Sequence, residues 1–233
     1  VALIDNLVSY FKLDESSGTR EDFHGTHDLS DTGSTGTAAG KIGNAADFPA
    51  SVFTYLQNAN MLADVSAGSI SISFWVWLDS TGSYVALYES TTAQNTFSLF
   101  LNGTTGLYVT CGGHAEELTS STGFTTGAFQ HVVVTFNNST DTITIYRNGS
   151  QVAQDATGWG AGPSASSFTL GANLTGGGAH LDGRIDELGV WARVLDSGEV
   201  GSLYNSGNGL AYPFSTGDAV PQCWRQYRGR RVA

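Results

Sequence analysis

Apolar and polar residues alternate with a period of two along much of this chain, most clearly in SISISFWVWLD at residues 69–79. Ile70, Ile72, Phe74, Val76 and Leu78 fall on one face of an extended strand, and Ser71, Ser73, Trp75 and Trp77 fall on the other. The first face is core. The second carries two tryptophans, so it is either covered by another segment or offered to a ligand. Residues 5–15, DNLVSYFKLDE, predict a first strand that buries Leu7, Tyr10, Phe11 and Leu13. Ala46 to Phe48 and Val52 to Leu56 predict two short strands around Pro49. Further strands are predicted over Tyr84 to Ser90, Phe97 to Leu101, Leu107 to Cys111, Phe129 to Asn137, Thr142 to Arg147, Ser150 to Gln154 and Phe168 to Gly171. Asn102-Gly103 and Asn148-Gly149 have the chemistry of tight turns with positive φ.

The pattern changes once, at Gly183 to Tyr204, which reads as a buried strand containing acids, a connector and a short helix. Asp196 and Glu199 have the spacing of a capping box that opens the helix. Asp186 and Glu187, as neighbours on a strand, are expected on opposite faces. Ser16 to Gly43 reads instead as a long polar loop in which Glu21, Asp22, His24, His27, Asp28 and Asp31 crowd together. Acidic side chains on a glycine-rich backbone suit calcium, although the EF-hand spacing is absent.

Composition narrows the fold class. The 233 residues include 30 glycines and only 13% charged residues, with few strong helix formers, which favours an all-β protein. No repeat and no linker divides the body. Short strands with turns between them and one late helix predict an antiparallel β-sandwich of two layers. After Tyr212-Pro213-Phe214 the composition shifts, which separates a sandwich domain at 1–214 from a basic tail at 215–233.

Charge excludes some partners. A formal charge of −11 repels nucleic acid and anionic membranes, and no run of about twenty apolar residues predicts membrane insertion. The charge is uneven, because all the arginines after Phe214 lie in the last nine residues while Asp218 is the single acid there. These are Arg225, Arg228, Arg230 and Arg231; with Trp224 and Tyr227 they are residue types enriched at interface hot spots. The tail is therefore expected to bind other copies of the chain or a larger assembly. VALIDNLVSYF at the start lacks the layout of a signal peptide, which leaves open whether one was removed. Cys111 and Cys223 lack a metal-ligand spacing, and one disulfide or two separate thiols both stay open.

The succession FKLDESSG, DFHG, KIGNAADF, ISISFWVWL, FQHVVVTFNNSTDTITIYRNG and GRIDELGVWARVLDSGEVGSLY resembles the laminin-G-like, concanavalin A-like jelly-roll family over roughly residues 7–206. The resemblance implies a jelly roll of two curved antiparallel sheets, one concave and one convex. It also implies a non-catalytic module for glycans or proteins, often with a structural calcium, although the wider superfamily includes glycosidases. On that basis Asp22 and Asp186 are the expected calcium ligands, with Asp14 and Asp28 as second choices. Phe11 and Phe129 stand where the family usually has Trp, and Trp77 stands where a polar residue is usual.

Catalysis is not expected. The related glucanases carry their paired carboxylates on one strand as E-x-D-x-x-E, and this chain lacks that arrangement. His24 and His131 have no neighbouring nucleophile in sequence, and no G-x-S-x-G elbow is present. His131 is expected to be a core or strand-edge residue. For a glycan, the available aromatics are Trp77, Tyr84, Tyr88, Tyr108 and Trp159, of which Trp77 stands out as an outward residue of the best strand. Two functions follow. One is a non-catalytic recognition or adhesion module for carbohydrate or a cell-surface partner, located outside the cell. The other is a structural or decorating protein of a particle, such as a phage capsid or fibre, displayed on the virion surface.

Overall fold

The computed structural model describes residues 1–65, 68–80, 85–89, 97–102, 106–110, 118–119, 124–156, 167–172 and 180–214. The described strands are β1 (Leu7–Phe11), β2 (Ser30–Thr32), β3 (Gly36–Ala39), β4 (Asn44–Phe48), β5 (Tyr55–Asn58), β6 (Ile70–Leu78), β7 (Val85–Glu89), β8 (Ser98–Asn102), β9 (Gly106–Thr110), β10 (Leu118–Thr119), β11 (Gln130–Asn137), β12 (Thr142–Arg147), β13 (Ser150–Asp155), β14 (Phe168–Leu170) and β15 (Gly183–Trp191). One α-helix, α1 (Ser197–Tyr204), follows them.

Two antiparallel sheets result. The first runs β13-β12-β11-β6-β15-β4-β3, and the second runs β10-β9-β8-β7-β14-β5-β2. Strand β15 changes partners along its length: Gly183 to Ile185 pair with β4, whereas Leu188 to Trp191 pair with β1. Its other edge pairs with β6 throughout, with a register shift between Asp186 and Gly189. Glu187 fills that bulge with a φ of 50°.

The faces that meet between the sheets are dry. Phe11, Phe48, Phe74, Phe97, Phe136 and Phe168 pack there with the alternate residues of β6 that the sequence pattern selects. A second, smaller core lies on the outer face of the first sheet. There Trp191, Tyr10, Val133 and Tyr146 are covered by Leu195, by Val200 and Leu203 of α1, and by Phe214 and Leu3. The Trp191 indole N–H donates to the Leu3 carbonyl at 2.7 Å, so burial of this large ring leaves no unpaired donor.

The helix starts where the sequence predicts. The Asp196 side chain accepts from the Glu199 N–H while Glu199 accepts from the Asp196 N–H, and Arg193 pairs with Glu199 at 2.6 Å. Ser71 fixes the approach by donating to the Arg193 carbonyl and accepting from the Leu195 N–H.

Two local expectations change. Ser16–Gly43 is not all loop, because it contains β2 and β3; neither strand has apolar alternation to announce it. The strand after Pro49 begins at Tyr55 rather than Val52, and Val52 and Phe53 are exposed. The Asn148-Gly149 turn forms with positive φ at both residues, whereas Gly103 of the other expected turn lies outside the described residues, as do Cys111 and Cys223.

Gly171, at the end of β14, brings the two sheets close. Its φ is +90°, and a Cβ at this position meets the ring of Phe48 on β4. Gly171→Ala combines left-handed backbone strain with overpacking and is expected to cost about 2–4 kcal/mol, read as a lower urea midpoint at unchanged slope.

Candidate functional site

The outer face of the first sheet is laid out in rows across its strands. One row passes from Gly36 on β3 through Asp47 on β4 and Arg184 on β15 to Trp77 on β6. Phe129, just before β11, extends it and meets Trp77 at 5.4 Å with an interplanar angle of 60°. The next row passes from Asp186 through Trp75 to His131. Tyr204 of α1 stacks on Trp75 at 5.8 Å and the Lys41 ammonium stands 4.9 Å from its ring centre, so Trp75 is only 3% exposed. The helix thus closes the second row and leaves the first open.

Within the open row the side chains hold one another. The Trp77 indole N–H donates to the Asp79 carboxylate at 2.9 Å, and the Arg184 guanidinium lies 5.1 Å from the ring centre. Arg184 is paired in turn with Asp47 at 3.6 Å, and the two side chains are 25% and 32% exposed. Since β15 and β11 flank β6 on opposite sides, the indole stands between guanidinium and phenyl ring. The row therefore offers a ring edge beside a cation and a carboxylate, rather than a flat platform. The edge of the row is fixed by Arg20, fully buried, which donates to the carbonyls of Thr35 and Gly36 at 3.0 and 3.3 Å.

Sequence reasoning found Trp77 and missed Arg184 and Asp47, which join it only through strand register. It also missed Phe53, an exposed ring against Tyr55 and His180, each at 5.7 Å. Tyr84 and Trp159 lie outside the described residues, as do Trp224, Arg225, Tyr227, Arg228, Arg230 and Arg231; Tyr88 and Tyr108 are placed by backbone alone, on β7 and β9.

Asp186 and Glu187 do not point to opposite faces. The bulge turns both toward the outer face, where Glu187 accepts from the Tyr10 hydroxyl and Asp186 accepts from the backbone N–H groups of Lys41 and Ile42 at 2.6 and 3.0 Å. Both are buried, and the other Asp186 oxygen has no hydrogen-bond partner among the described residues. Burial, opposed by the N–H groups and aided by the charge of Glu187, pushes Asp186 up to about 8. Burial, opposed by the Tyr10 hydroxyl, pushes Glu187 up to about 7.

The four acids expected to bind calcium each accept backbone N–H groups. Asp22 accepts backbone N–H groups from Tyr10, His24, Gly25 and His27. Burial raises its pKa, but these bonds and the Ser9 hydroxyl more than reverse the effect and hold it below the usual carboxylate range. Asp14 accepts from the Asn44 N–H, and Asp28 accepts from the Asp22 N–H. Among the described residues no three His, Cys, Asp or Glu side chains converge to hold a metal.

Among the described residues one arrangement has the makeup of a hydrolytic triad: Ser9 Oγ lies 3.2 Å from His27 Nδ1, with His27 Nε2 at 3.4 Å from Asp64. Ser9 is fully buried, so its oxygen is closed to a substrate. His131 is a core residue: its Nε2 lies 2.9 Å from Ser73 Oγ, and burial pushes its pKa down to about 3.

Residues 50–201 match the laminin G family described as the concanavalin A-like lectin/glucanases superfamily. The chain belongs to that superfamily. No curated protein matches it in sequence. Among solved structures, it resembles domain 4 of AbnA, an extracellular arabinanase from Geobacillus stearothermophilus, in complex with arabinotriose, with 20% identity, a TM-score of 0.70, and coverage of 88% of this chain and 98% of that one. It also resembles the binding domain of botulinum neurotoxin DC in complex with SialylT, with 16% identity, a TM-score of 0.65, and coverage of 87% and 52%. The binding domain of Paraclostridial mosquitocidal protein 1 matches with 18% identity, a TM-score of 0.70, and coverage of 88% and 53%. The chain spans about half the length of these two toxin domains, and at such identities the likeness is one of fold. This superfamily sandwich is what places the row across β3, β4, β15 and β6.

The acid pair makes stability depend on pH. Both folded pKa values lie above those of unfolded acids, so the folded state binds more protons than the unfolded state between about pH 4 and 8. The pair's contribution is complete below that window and is lost as pH rises through about 7 to 8. Asp22 acts in the opposite sense, its contribution falling away in acid. The melting temperature of the wild type is expected to drop from pH 5.5 to 8.5, and Asp186→Asn, which keeps an acceptor for Lys41 and Ile42, is expected to flatten that slope. Melting curves in millimolar calcium and in chelator are expected to coincide; a clear rise with calcium would assign these acids a metal after all.

Proposed function

We propose that this chain is a non-catalytic recognition module that binds carbohydrate outside the cell through the row of Asp47, Arg184, Trp77 and Phe129. The observation that carries the reading is selective cover: α1 and the segment after it seal the Trp75 row, while the Trp77 row keeps a cation, a carboxylate and aromatic edges open side by side. A saccharide needs that combination, since its C–H surfaces pack on aromatic groups while its hydroxyls exchange hydrogen bonds with charged side chains. Similar folds, an arabinanase domain in complex with arabinotriose and a neurotoxin binding domain in complex with SialylT, support a glycan as the partner class. The non-catalytic reading is supported by the burial of Asp186 and Glu187, 0% and 6% exposed, since a glycosidase needs its carboxylates at the substrate.

Trp77→Ala removes the ring that supports Arg184. It is expected to weaken glycan binding at least about tenfold on a glycan array while the melting temperature stays within about 6 °C of the wild type. Arg184→Ala should weaken the same ligands. Failure of the intact protein to bind any glycan would overturn the proposal.

A further inference from the structure

We infer that the Trp77 row selects neutral saccharides over acidic ones, an inference that rests on the row being the binding site. Arg184 is the cation of the row among the described residues; its Nε stands 3.6 Å from Asp47, its Nη1 donates to the Ala39 carbonyl at 3.5 Å, and its guanidinium lies 5.1 Å from the Trp77 ring centre. A second carboxylate, Asp79, is held at the rim by the indole N–H at 2.9 Å. Lys41 stands one row away over Trp75, its charge directed at that ring. Two carboxylates, Asp47 beside Arg184 and Asp79 beside Trp77, thus flank the pair of cation and indole, on a body that is strongly acidic overall.

An acidic sugar that pairs with Arg184 competes with Asp47 for it and meets the Asp79 carboxylate beside Trp77. A neutral sugar displaces nothing. Adjacent hydroxyls donate to Asp47 and accept from Arg184, a donor and an acceptor held side by side across one pair of strands. The arrangement therefore suits a vicinal diol and penalises a carboxylate, the repulsive half of specificity being supplied by the rim acids. Asp47 becomes the specificity-determining residue and Trp77 the residue on which binding itself depends.

The test measures binding of the wild type, Asp47→Asn, Trp77→Ala and Arg184→Ala to two probe sets at one ionic strength. The neutral set is arabinotriose and neutral gluco- and galacto-oligosaccharides; the acidic set is sialyllactose and oligogalacturonate. The expected result is neutral binding that is lost in Trp77→Ala, acidic binding at least about tenfold weaker, and a gap that narrows severalfold in Asp47→Asn. Acidic probes that bind as well as neutral ones, in a manner sensitive to Trp77→Ala, would overturn the selectivity and leave the row as the site. An unchanged preference in Asp47→Asn would also overturn it. Binding that ignores both Trp77→Ala and Arg184→Ala would instead overturn the row.

Discussion

Strand β15 is where the two cores on either face of the first sheet and the candidate site are tied together, and the bulge at Glu187 is what lets one strand do so. Before the bulge the strand pairs with β4 and places Arg184 beside Asp47 and Trp77. After it, the strand pairs with β1 and presents Trp191 to the second core. A regular strand keeps one alternation from end to end. The extra residue resets it, so that the acids at 186 and 187 share a face and Leu188 still returns to the main core.

Cover on the outer face follows from the same strand. Trp191 gives α1 an apolar floor, and the capping box with Arg193 and Glu199 brings the helix down at a fixed point. Its last residue, Tyr204, reaches as far as Trp75 and His131. The limit of the helix is thus the boundary of the open row. The division between buried tryptophan and available tryptophan on β6 is set by the length of a two-turn helix.

Much of the scaffold is legible because its signals are local. Period-two alternation marks β6, β11 and β12, and Leu7, Tyr10, Phe11 and Leu13 are buried as their pattern predicts. Asp196 and Glu199 mark a helix start within four residues. The strands β2 and β3 are illegible because they are short, polar and held by long-range partners, Arg20 among them. The site is half legible. Alternation places Trp77 on an outward face, but its identity with Trp75 in that respect conceals their different fates. Register across four strands brings Asp47 and Arg184 to Trp77, and no neighbouring residues in the sequence record that. Asp186 and Glu187 mislead for the complementary reason, since a bulge leaves no mark in a pattern of residue types.

The buried acid pair also alters what the formal charge means. That charge counts every carboxylate as ionised, whereas burial raises the pKa of both Asp186 and Glu187 and favours their protonated forms in the folded state. Folding near neutral pH therefore takes up protons from solution, and unfolding returns them. The native molecule is less anionic than its sequence, and its unfolding enthalpy in a calorimeter carries the ionisation heat of whichever buffer receives those protons.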